Sequence, residues 1–267
     1  MRNPIVQLVI DLLLYVFVYI ILQLVCQAVG GYLFPSHTVH VVIATQLISS
    51  VATVVLFVAM RWSPFSIRFA CQRPWAFYTA IVLFTVAWLL PSEYILEVSG
   101  VEMPDKLEAL LSLVMANPLG WLAVGVFVPV CEEVLFRGAI LGRLLKFTGG
   151  SRPWFAISVS ALVFALFHGN LAQMPHAFAI GLLLGWLFWR TGSIVPGIVL
   201  HMVNNSSAVA FMSLCVDSID DHLVDVFHGN NDLLATALVL CVVAAVASLW
   251  WLVRETPHNS RRESNYE

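Results

Sequence analysis

Charged residues are scarce in this sequence. They make up 11% of its 267 residues, whereas a soluble domain carries about 25%. Hydrophobic residues make up 60%, and the mean hydropathy is +0.88. Because so few polar groups cannot cover the surface of a chain this long, an ordinary soluble enzyme and a disordered scaffold are excluded. The formal net charge of −3 also offers no basic field to nucleic acid.

Paired cysteines and common zinc motifs are missing as well. No C-x-x-C pair and no H-E-x-x-H helix occurs in the chain. The five cysteines are scattered and lie mostly in apolar runs: Cys26, Cys71, Cys131, Cys215 and Cys241. We therefore expect small buried hydrophobic side chains there, not disulfides or a zinc knuckle.

Long apolar runs are abundant instead. A helix that crosses the roughly 30 Å hydrocarbon core needs about 20 apolar residues. Eight runs approach that length: 5–29, 38–60, 75–92, 118–143, 154–174, 175–190, 193–213 and 232–253. The first run is too long for a signal peptide. The sequence therefore predicts an all-α polytopic membrane protein of about eight transmembrane helices.

The loop charges predict the orientation of these helices. With the N-terminus in the cytoplasm, nearly all basic loop residues fall inside: Arg2, Arg61, Arg68, Arg73, Arg143, Lys146, Arg152, Arg190, Arg254, Arg261 and Arg262. The two acidic loops, around residues 93–108 and 217–232, fall outside. This agrees with the positive-inside rule. We expect a multi-pass protein of the bacterial plasma membrane with both termini in the cytoplasm.

Ionisable side chains at membrane depth are candidates for function, because each costs several kcal/mol in lipid (about 2.5–3.5 kcal/mol at a helix centre). Three successive patterns contain most of them. The fourth span carries E-E-x-x-x-R, the fifth F-x-x-x-H and the seventh H-x-x-x-N. The residues are Glu132, Glu133 and Arg137, then Phe164 and His168, then His201 and Asn205.

The helical spacing separates the two glutamates. Adjacent positions point about 100° apart, so Glu132 and Glu133 have different neighbours. Glu133 and Arg137 are four residues apart with the acid first, which favours an internal salt bridge. Glu132 has no partner on its own helix, and a carboxylate in that position is suited to take a proton.

Depth estimates allow the patterns to meet. At about 1.5 Å per residue, Glu132, His168, His201 and Asn205 lie roughly 16–24 Å from the cytoplasmic end of their helices. This requires the fourth helix to run unbroken to about Lys146. The sequence therefore predicts one active site inside the membrane.

These three patterns, in this order on polytopic helices, resemble the CPBP family of CAAX proteases and bacteriocin-processing enzymes, also called the ABI family. The resemblance covers roughly residues 118–213, interpreted as the catalytic core. Residues 1–117 are then N-terminal transmembrane helices with an outside amphipathic segment. Residues 214–267 are an outside acidic loop, the last transmembrane helix and a polar tail.

The resemblance implies an intramembrane endopeptidase that acts on a membrane-associated peptide or protein. It implies that Glu132 activates the attacking water, that His168 helps to hold this water, and that His201 and Asn205 stabilise the oxyanion. A prenylated CAAX tail, a pheromone precursor and a bacteriocin leader all remain open as substrates.

Two versions of the chemistry stay open. In the preferred version, Glu132 is the general base and no cofactor is required. In the other, Glu132, His168 and His201 bind zinc or another divalent metal, which would lower the pKa of its bound water. That version leaves no free carboxylate as base, because Glu133 is paired with Arg137.

Other functions, and purely structural roles for these residues, also remain open. A non-catalytic immunity or scaffold protein of the same family, and a proton-coupled transporter, would carry similar residues. His201 and Asn205 can serve as interhelical hydrogen bonds. We expect His176 at the interface, Asn204 in packing, and Asp11 snorkelling or bonded to a neighbour.

Two local features complete the expectations. Gly181 and Gly185 form a G-x-x-x-G pattern that favours close helix packing. The segment 102–116 is either an interfacial helix or a lid. The sequence leaves the oligomeric state open.

Overall fold

A computed structural model describes residues 3–35, 38–63, 75–215 and 222–256. Within these ranges the chain forms ten helices and no strands, so the predicted all-α fold is confirmed. The helices are α1 (Pro4–Leu33), α2 (Thr38–Ala59), α3 (Trp75–Ser99), α4 (Asp105–Met115), α5 (Pro118–Phe147), α6 (Pro153–Leu166), α7 (Met174–Thr191), α8 (Val195–Cys215), α9 (Leu223–Val226) and α10 (Asn231–Glu255).

Six helices are long and apolar enough to cross a membrane: α1, α2, α3, α5, α8 and α10. The other two predicted spans correspond to shorter helices. Helix α6 has 14 residues and α7 has 18, which give about 21 and 27 Å of rise. The chain is therefore a polytopic membrane protein in which six of the eight predicted spans have full length.

The predicted fifth span, 154–174, is too long. Helix α6 ends at Leu166, and Gly169 adopts a φ of +69°, a backbone conformation that stops a helix and suits glycine. The side chain of Asn170 then accepts from the backbone N–H of Gln173 at 3.0 Å. His168 therefore lies in a turn between α6 and α7, not on a helix as predicted.

The predicted third span, 75–92, is too short. Helix α3 continues through Pro91 to Ser99, so Glu93 and Glu97 lie on the helix and not in a loop. The carboxylate of Glu97 accepts from the backbone N–H of Leu223 at 2.8 Å. The polar end of α3 is thus held by the first turn of α9, a contact that hydropathy alone cannot predict.

Helix ends follow local sequence. Asn3, Asn117 and Asn230 each accept from a backbone N–H in the next helix, which satisfies a donor that has no partner inside the helix. Pro4 and Pro118 occupy the first helical position, where the missing N–H costs nothing. Several predicted features lie outside the described residues: Arg2, Arg68, Arg73, Arg261, Arg262, Cys71 and acidic residues 217–221.

Helix α5 lies at the centre of the bundle. Residues 133–141 are all buried, whereas α1 and α10 expose large apolar side chains such as Leu13, Phe17, Val239 and Leu240. Lipid is the solvent in which such faces are stable. This stretch of α5 is therefore shielded from lipid by its neighbours, and its polar residues Glu133 and Arg137 face protein.

The predicted close packing at Gly181 and Gly185 is confirmed, and the predicted burial of cysteines is confirmed for one of the three described. A Cβ added at Gly181 would lie 3.1 Å from Ala161 Cβ, and one at Gly185 would lie 2.9 Å from Ile157 Cγ2, so α6 and α7 pack closely. Of the cysteines, Cys131 is buried as expected, while Cys26 and Cys241 are only partly buried.

The segment 102–116 contains helix α4. Its Val114 is buried at 1% exposure, and the Val114 backbone lies directly against Gly120 at the start of α5. The C-terminal end of α4 is therefore packed on α5, which favours a docked helix over a freely opening lid.

An ion pair joins α1 to the C-terminal part of α5. Arg143 Nε lies 2.6 Å from Asp11 Oδ2, and Gln7 Nε2 donates to the other carboxylate oxygen at 2.7 Å. Asp11 is thus bonded to a neighbour, one of the two expected alternatives. Both charged side chains are about one-fifth exposed (21% and 22%), so solvent screens the pair only in part.

We predict that Asp11→Ala lowers the free energy of unfolding by about 1 kcal/mol, or about 2–4 °C in Tm, because Arg143 loses its partner. Thermal unfolding in detergent measures this. The charge-swapped double variant Asp11→Arg/Arg143→Asp should recover part of the loss, and Glu102→Gln, an exposed loop change, should have no effect. An unchanged Tm for Asp11→Ala would show that the pair contributes nothing.

Candidate active site

Helix α5 changes its winding where the candidate residues lie. Residues Ala123–Phe127 and Glu133–Leu141 form wide π-helical turns that flank the α-helical turn Val128–Glu132. Such turns are rare and occur frequently at functional sites. The helix nevertheless runs unbroken to Phe147, as the predicted depth of Glu132 requires.

Glu133 and Arg137 form the predicted salt bridge. Glu133 Oε1 lies 2.8 Å from Arg137 Nη1, and both side chains are buried. The guanidinium carbon lies 4.3 Å from the ring centroid of Phe164, and Arg137 Nη2 donates to the carbonyl of Gly181 at 3.4 Å. Arg137 thus links α5, α6 and α7 while it neutralises a carboxylate that water does not reach.

His201 of α8 lies between the two glutamates. Its Nδ1 is 3.2 Å from Glu133 Oε1, and its Nε2 is 3.5 Å from Glu132 Oε2. Glu133 is sealed, whereas Glu132 is 17% exposed. The two adjacent acids therefore meet opposite edges of one imidazole, and only Glu132 has access from outside.

Phe164 contacts both His168 and His201. The ring centroids of Phe164 and His168 are 5.0 Å apart, those of Phe164 and His201 are 5.6 Å apart, and both pairs meet edge to face. His168 Nδ1 lies 3.1 Å from the carbonyl of Phe164, which can only accept. His168 Nδ1 is therefore the donor, and its Nε2 is left with a lone pair.

Asn205 bridges α8 and α5. Its Nδ2 donates to the carbonyl of Val124 at 3.1 Å, and Ser206 next to it donates to the carbonyl of Gly125 at 3.4 Å. Asn205 and His201 are one turn apart on α8. The structure thus places Glu132, His201 and Asn205 at the contact between α5 and α8, while His168 approaches from the end of α6.

Two polar neighbours have partners that the sequence did not predict. His176 is half-buried, and its Nε2 lies 3.3 Å from Asn204 Oδ1. Asn204 does more than pack, because its Nδ2 donates to Asn205 Oδ1 at 3.2 Å. Neighbouring positions on a helix point apart, but asparagine side chains are long enough to meet.

The sequence analysis missed two other contributors. Gly197 lies where a Cβ would come within 2.6 Å of Glu133 Oε2, so a larger residue would displace that carboxylate. Tyr19 of α1 interacts electrostatically with Glu132, and Gln23 donates to its hydroxyl at 3.0 Å. The polar side chains of Tyr19 and Gln23 in the middle of an apolar span were the sequence signal that could have found them.

The described residues do not form an evident metal centre. Among them, no group of three His, Cys, Asp or Glu side chains is close enough together to hold an ion. Glu132, His168 and His201 have suitable donor atoms, but they are not among any such group. As arranged, this set does not fit a metal, and we derive no step through one.

Comparison with known proteins points to one family. Residues 114–207, which contain all three motifs, match the family described as type II CAAX prenyl endopeptidase Rce1-like. The chain is 29% identical over 118 residues to the membrane-embedded CAAX protease MroQ of Staphylococcus aureus (strain USA300); this covers 43% of the chain and 48% of that protein. It is 29% identical over 105 residues to the putative membrane peptidase YdiL of Bacillus subtilis (strain 168), which covers 39% and 42%.

The matched region spans a little under half the length of these relatives. No solved structure matches the chain significantly. The family resemblance that the motifs carry is therefore confirmed by sequence comparison and not by likeness to a solved fold.

We predict that Gly197→Ala destabilises the protein by about 1–3 kcal/mol, because the new methyl group pushes the Glu133 carboxylate away from Arg137 and His201. Thermal unfolding in detergent measures this. Gly142→Ala on α5 is the matched control: its Cβ would meet nothing closer than 3.7 Å, so it should be neutral or slightly stabilising. Equal Tm values for the two variants would contradict the close approach.

Proposed function

We propose that this chain, a member of the CAAX prenyl endopeptidase (CPBP) family through residues 114–207, is an intramembrane endopeptidase that uses a water activated by Glu132. The observation that carries the proposal is the position of His201 between an accessible and a sealed glutamate. A structural acid needs no accessible carboxylate, whereas a general base must be reached by water and substrate.

The charges support a division of roles. Glu133 and Arg137 neutralise each other, and Glu133 also accepts from His201 Nδ1. Because Arg137 and His201 Nδ1 both serve Glu133, Glu132 remains available as the base. In our proposal, His201 Nε2 donates to the substrate oxygen once the substrate is bound.

The distances bring the base and the oxyanion donor together. Glu132 Oε2 and His201 Nε2 are 3.5 Å apart, so a water held by Glu132 would lie next to a substrate carbonyl oxygen held by His201 Nε2. Glu132 would take a proton from the attacking water and then pass it to the leaving amine. Removing a proton in this way contributes typically about 10²–10⁴-fold to a rate.

The oxyanion that forms needs donors. In our proposal His201 supplies Nε2–H, and Asn205 supplies the amide N–H that does not bond to Val124. One such donor is worth about 10²–10³-fold in kcat. His168, with its free Nε2, would hold the attacking water from the other side.

The substrate class follows from access. Glu132 is partly exposed in a helix bundle whose outer faces are apolar, so we propose a membrane-associated peptide or protein as substrate. The relatives are named a CAAX protease and a putative membrane peptidase, which supports CAAX-type or precursor processing. We also propose that residues 118–213 are the catalytic core and that both termini face the cytoplasm, on the distribution of loop charges.

We predict that Glu132→Ala reduces cleavage by at least about 10²-fold while the folded protein is retained, because Glu132 is partly exposed and forms no salt bridge on its own helix. The measurement compares peptides and new protein termini in membranes of cells that carry wild type, Glu132→Ala or Glu132→Gln. Glu102→Gln is the control and should match wild type.

The variants Glu132→Gln and Glu132→Ala also distinguish the competing functions. Glu132→Gln keeps the shape and removes the base, so a peptidase loses activity. A non-catalytic immunity or scaffold protein would keep its phenotype in this variant. A peptide profile that does not change between wild type and both variants would overturn the peptidase proposal.

We predict that exhaustive chelation leaves cleavage unchanged, because the base is a carboxylate and the oxyanion donors are N–H groups. The assay compares chelated enzyme with and without added zinc, on the same peptide bond. Loss of activity on chelation and its return with zinc would replace this proposal by the metal version with Glu132, His168 and His201 as ligands.

A further inference from the structure

A chain of side-chain hydrogen bonds runs across three helices behind the candidate oxyanion donor. It starts at His176 in the first turn of α7, passes through Asn204 and Asn205 on α8, and ends at the carbonyl of Val124 on α5. The three heavy-atom distances are 3.3, 3.2 and 3.1 Å. Neither His176 nor Asn204 belongs to the three motifs.

The last acceptor sets the direction of the whole chain. The Val124 carbonyl can only accept, so the Asn205 amide must turn its nitrogen towards it. Asn205 Oδ1 then points the other way and must receive a donor, which is Asn204 Nδ2. Asn204 Oδ1 in turn needs a donor, and His176 Nε2–H is the group that faces it.

The position of Pro129 explains why the Val124 carbonyl needs an external donor. Val124 lies in the π-helical turn, where a carbonyl bonds the N–H five residues later. The residue five positions after Val124 is Pro129, which has no N–H. Since a buried carbonyl without a partner is costly, α8 supplies the donor through Asn205.

We propose that His176 and Asn204 are positioning residues, which hold the Asn205 amide so that its second N–H faces the reacting carbonyl. This inference rests on the proposed function, in which Asn205 is an oxyanion donor. When the hydrogen bonds from His176 and Asn204 are lost, the Asn205 amide can rotate, and its oxygen can take the place of the N–H. An oxygen at that place repels the developing negative charge.

The series of hydrogen bonds can be interrupted at His176 or at Asn204, and at each position one variant removes a donor while another keeps part of the hydrogen bonding. His176→Leu removes the first donor, whereas His176→Gln keeps an N–H that can reach Asn204. Asn204→Leu removes the middle link, and Asn204→Asp keeps an acceptor but cannot donate to Asn205 Oδ1. Positioning predicts that Gln rescues at 176 and that Asp fails at 204, although Asp is the closer match in shape.

The kinetic test uses the peptide bond whose cleavage in cells depends on Glu132, presented as an internally quenched peptide to enzyme in proteoliposomes. We expect His176→Leu, Asn204→Leu and Asn204→Asp to lower kcat about tenfold or more with KM unchanged, since only the transition state uses the N–H. Asn205→Ala should set the lower limit, about 10²–10³-fold below wild type. His176→Gln should recover most of kcat.

Ser206→Ala is the matched control. It removes another hydrogen bond between α8 and α5, to the Gly125 carbonyl, but it leaves the hydrogen bonds from His176 to Val124 intact. Wild-type kcat in this variant together with low kcat in Asn204→Leu would assign the effect to the orientation of Asn205. Equal losses in the two variants, or wild-type kcat in Asn204→Asp, would overturn the inference.

A structural readout needs no substrate. In protein labelled with ¹⁵N-asparagine, the Asn205 side-chain amide is assigned by its absence in Asn205→Ala, and its exchange with D₂O is followed by NMR. We expect exchange at least about tenfold faster in Asn204→Leu than in wild type or Ser206→Ala; equal rates would refute the positioning role. If Glu132→Ala cleaves normally, the peptidase proposal itself fails. If Glu132→Ala and Asn205→Ala are inactive while His176→Leu and Asn204→Leu are fully active, only the positioning inference is refuted.

Discussion

The constraint on which the rest of this structure depends is the neutralisation of buried charge where neither water nor lipid can help. Glu133 and Arg137 are sealed inside the bundle, 2.8 Å apart, and each is too costly to bury alone. Arg137 also needs Phe164 and the carbonyl of Gly181, and Glu133 also needs His201. Helices α5, α6, α7 and α8 therefore meet at this pair, and their relative positions follow from its partners.

The same logic extends to the backbone. Helix α5 contains Pro129 and two wide turns, which leave carbonyls in need of donors from another helix. Asn205 of α8 donates to the carbonyl of Val124 on α5. This bond docks α8 on α5 one helical turn from His201, so one candidate site residue also holds the helix contact.

The two neighbouring glutamates differ in burial and in their partners. Glu133 is enclosed by Arg137, His201 and the bare backbone of Gly197, and it acts as a fixed acceptor. Glu132 is one residue earlier, keeps partial access, and faces the other nitrogen of the same imidazole. This asymmetry fits a general base supported by a structural acid, and it is the physical content that we attach to the family match over residues 114–207.

The sequence by itself determined the all-α membrane fold, the six full-length spans and the Glu133–Arg137 pair, because hydropathy and helical spacing are local properties. It ended the fifth span eight residues too far and the third too early, since a glycine with positive φ after α6 and a capping contact from Glu97 to α9 depend on neighbours. Only the tertiary structure decided that His201 lies between the two glutamates, that Gly197 makes room for Glu133, and that His176 reaches Asn204 on α8. The contact of His201 with Glu133 joins residues 68 positions apart, and helix packing, which a one-dimensional pattern does not contain, sets such distances.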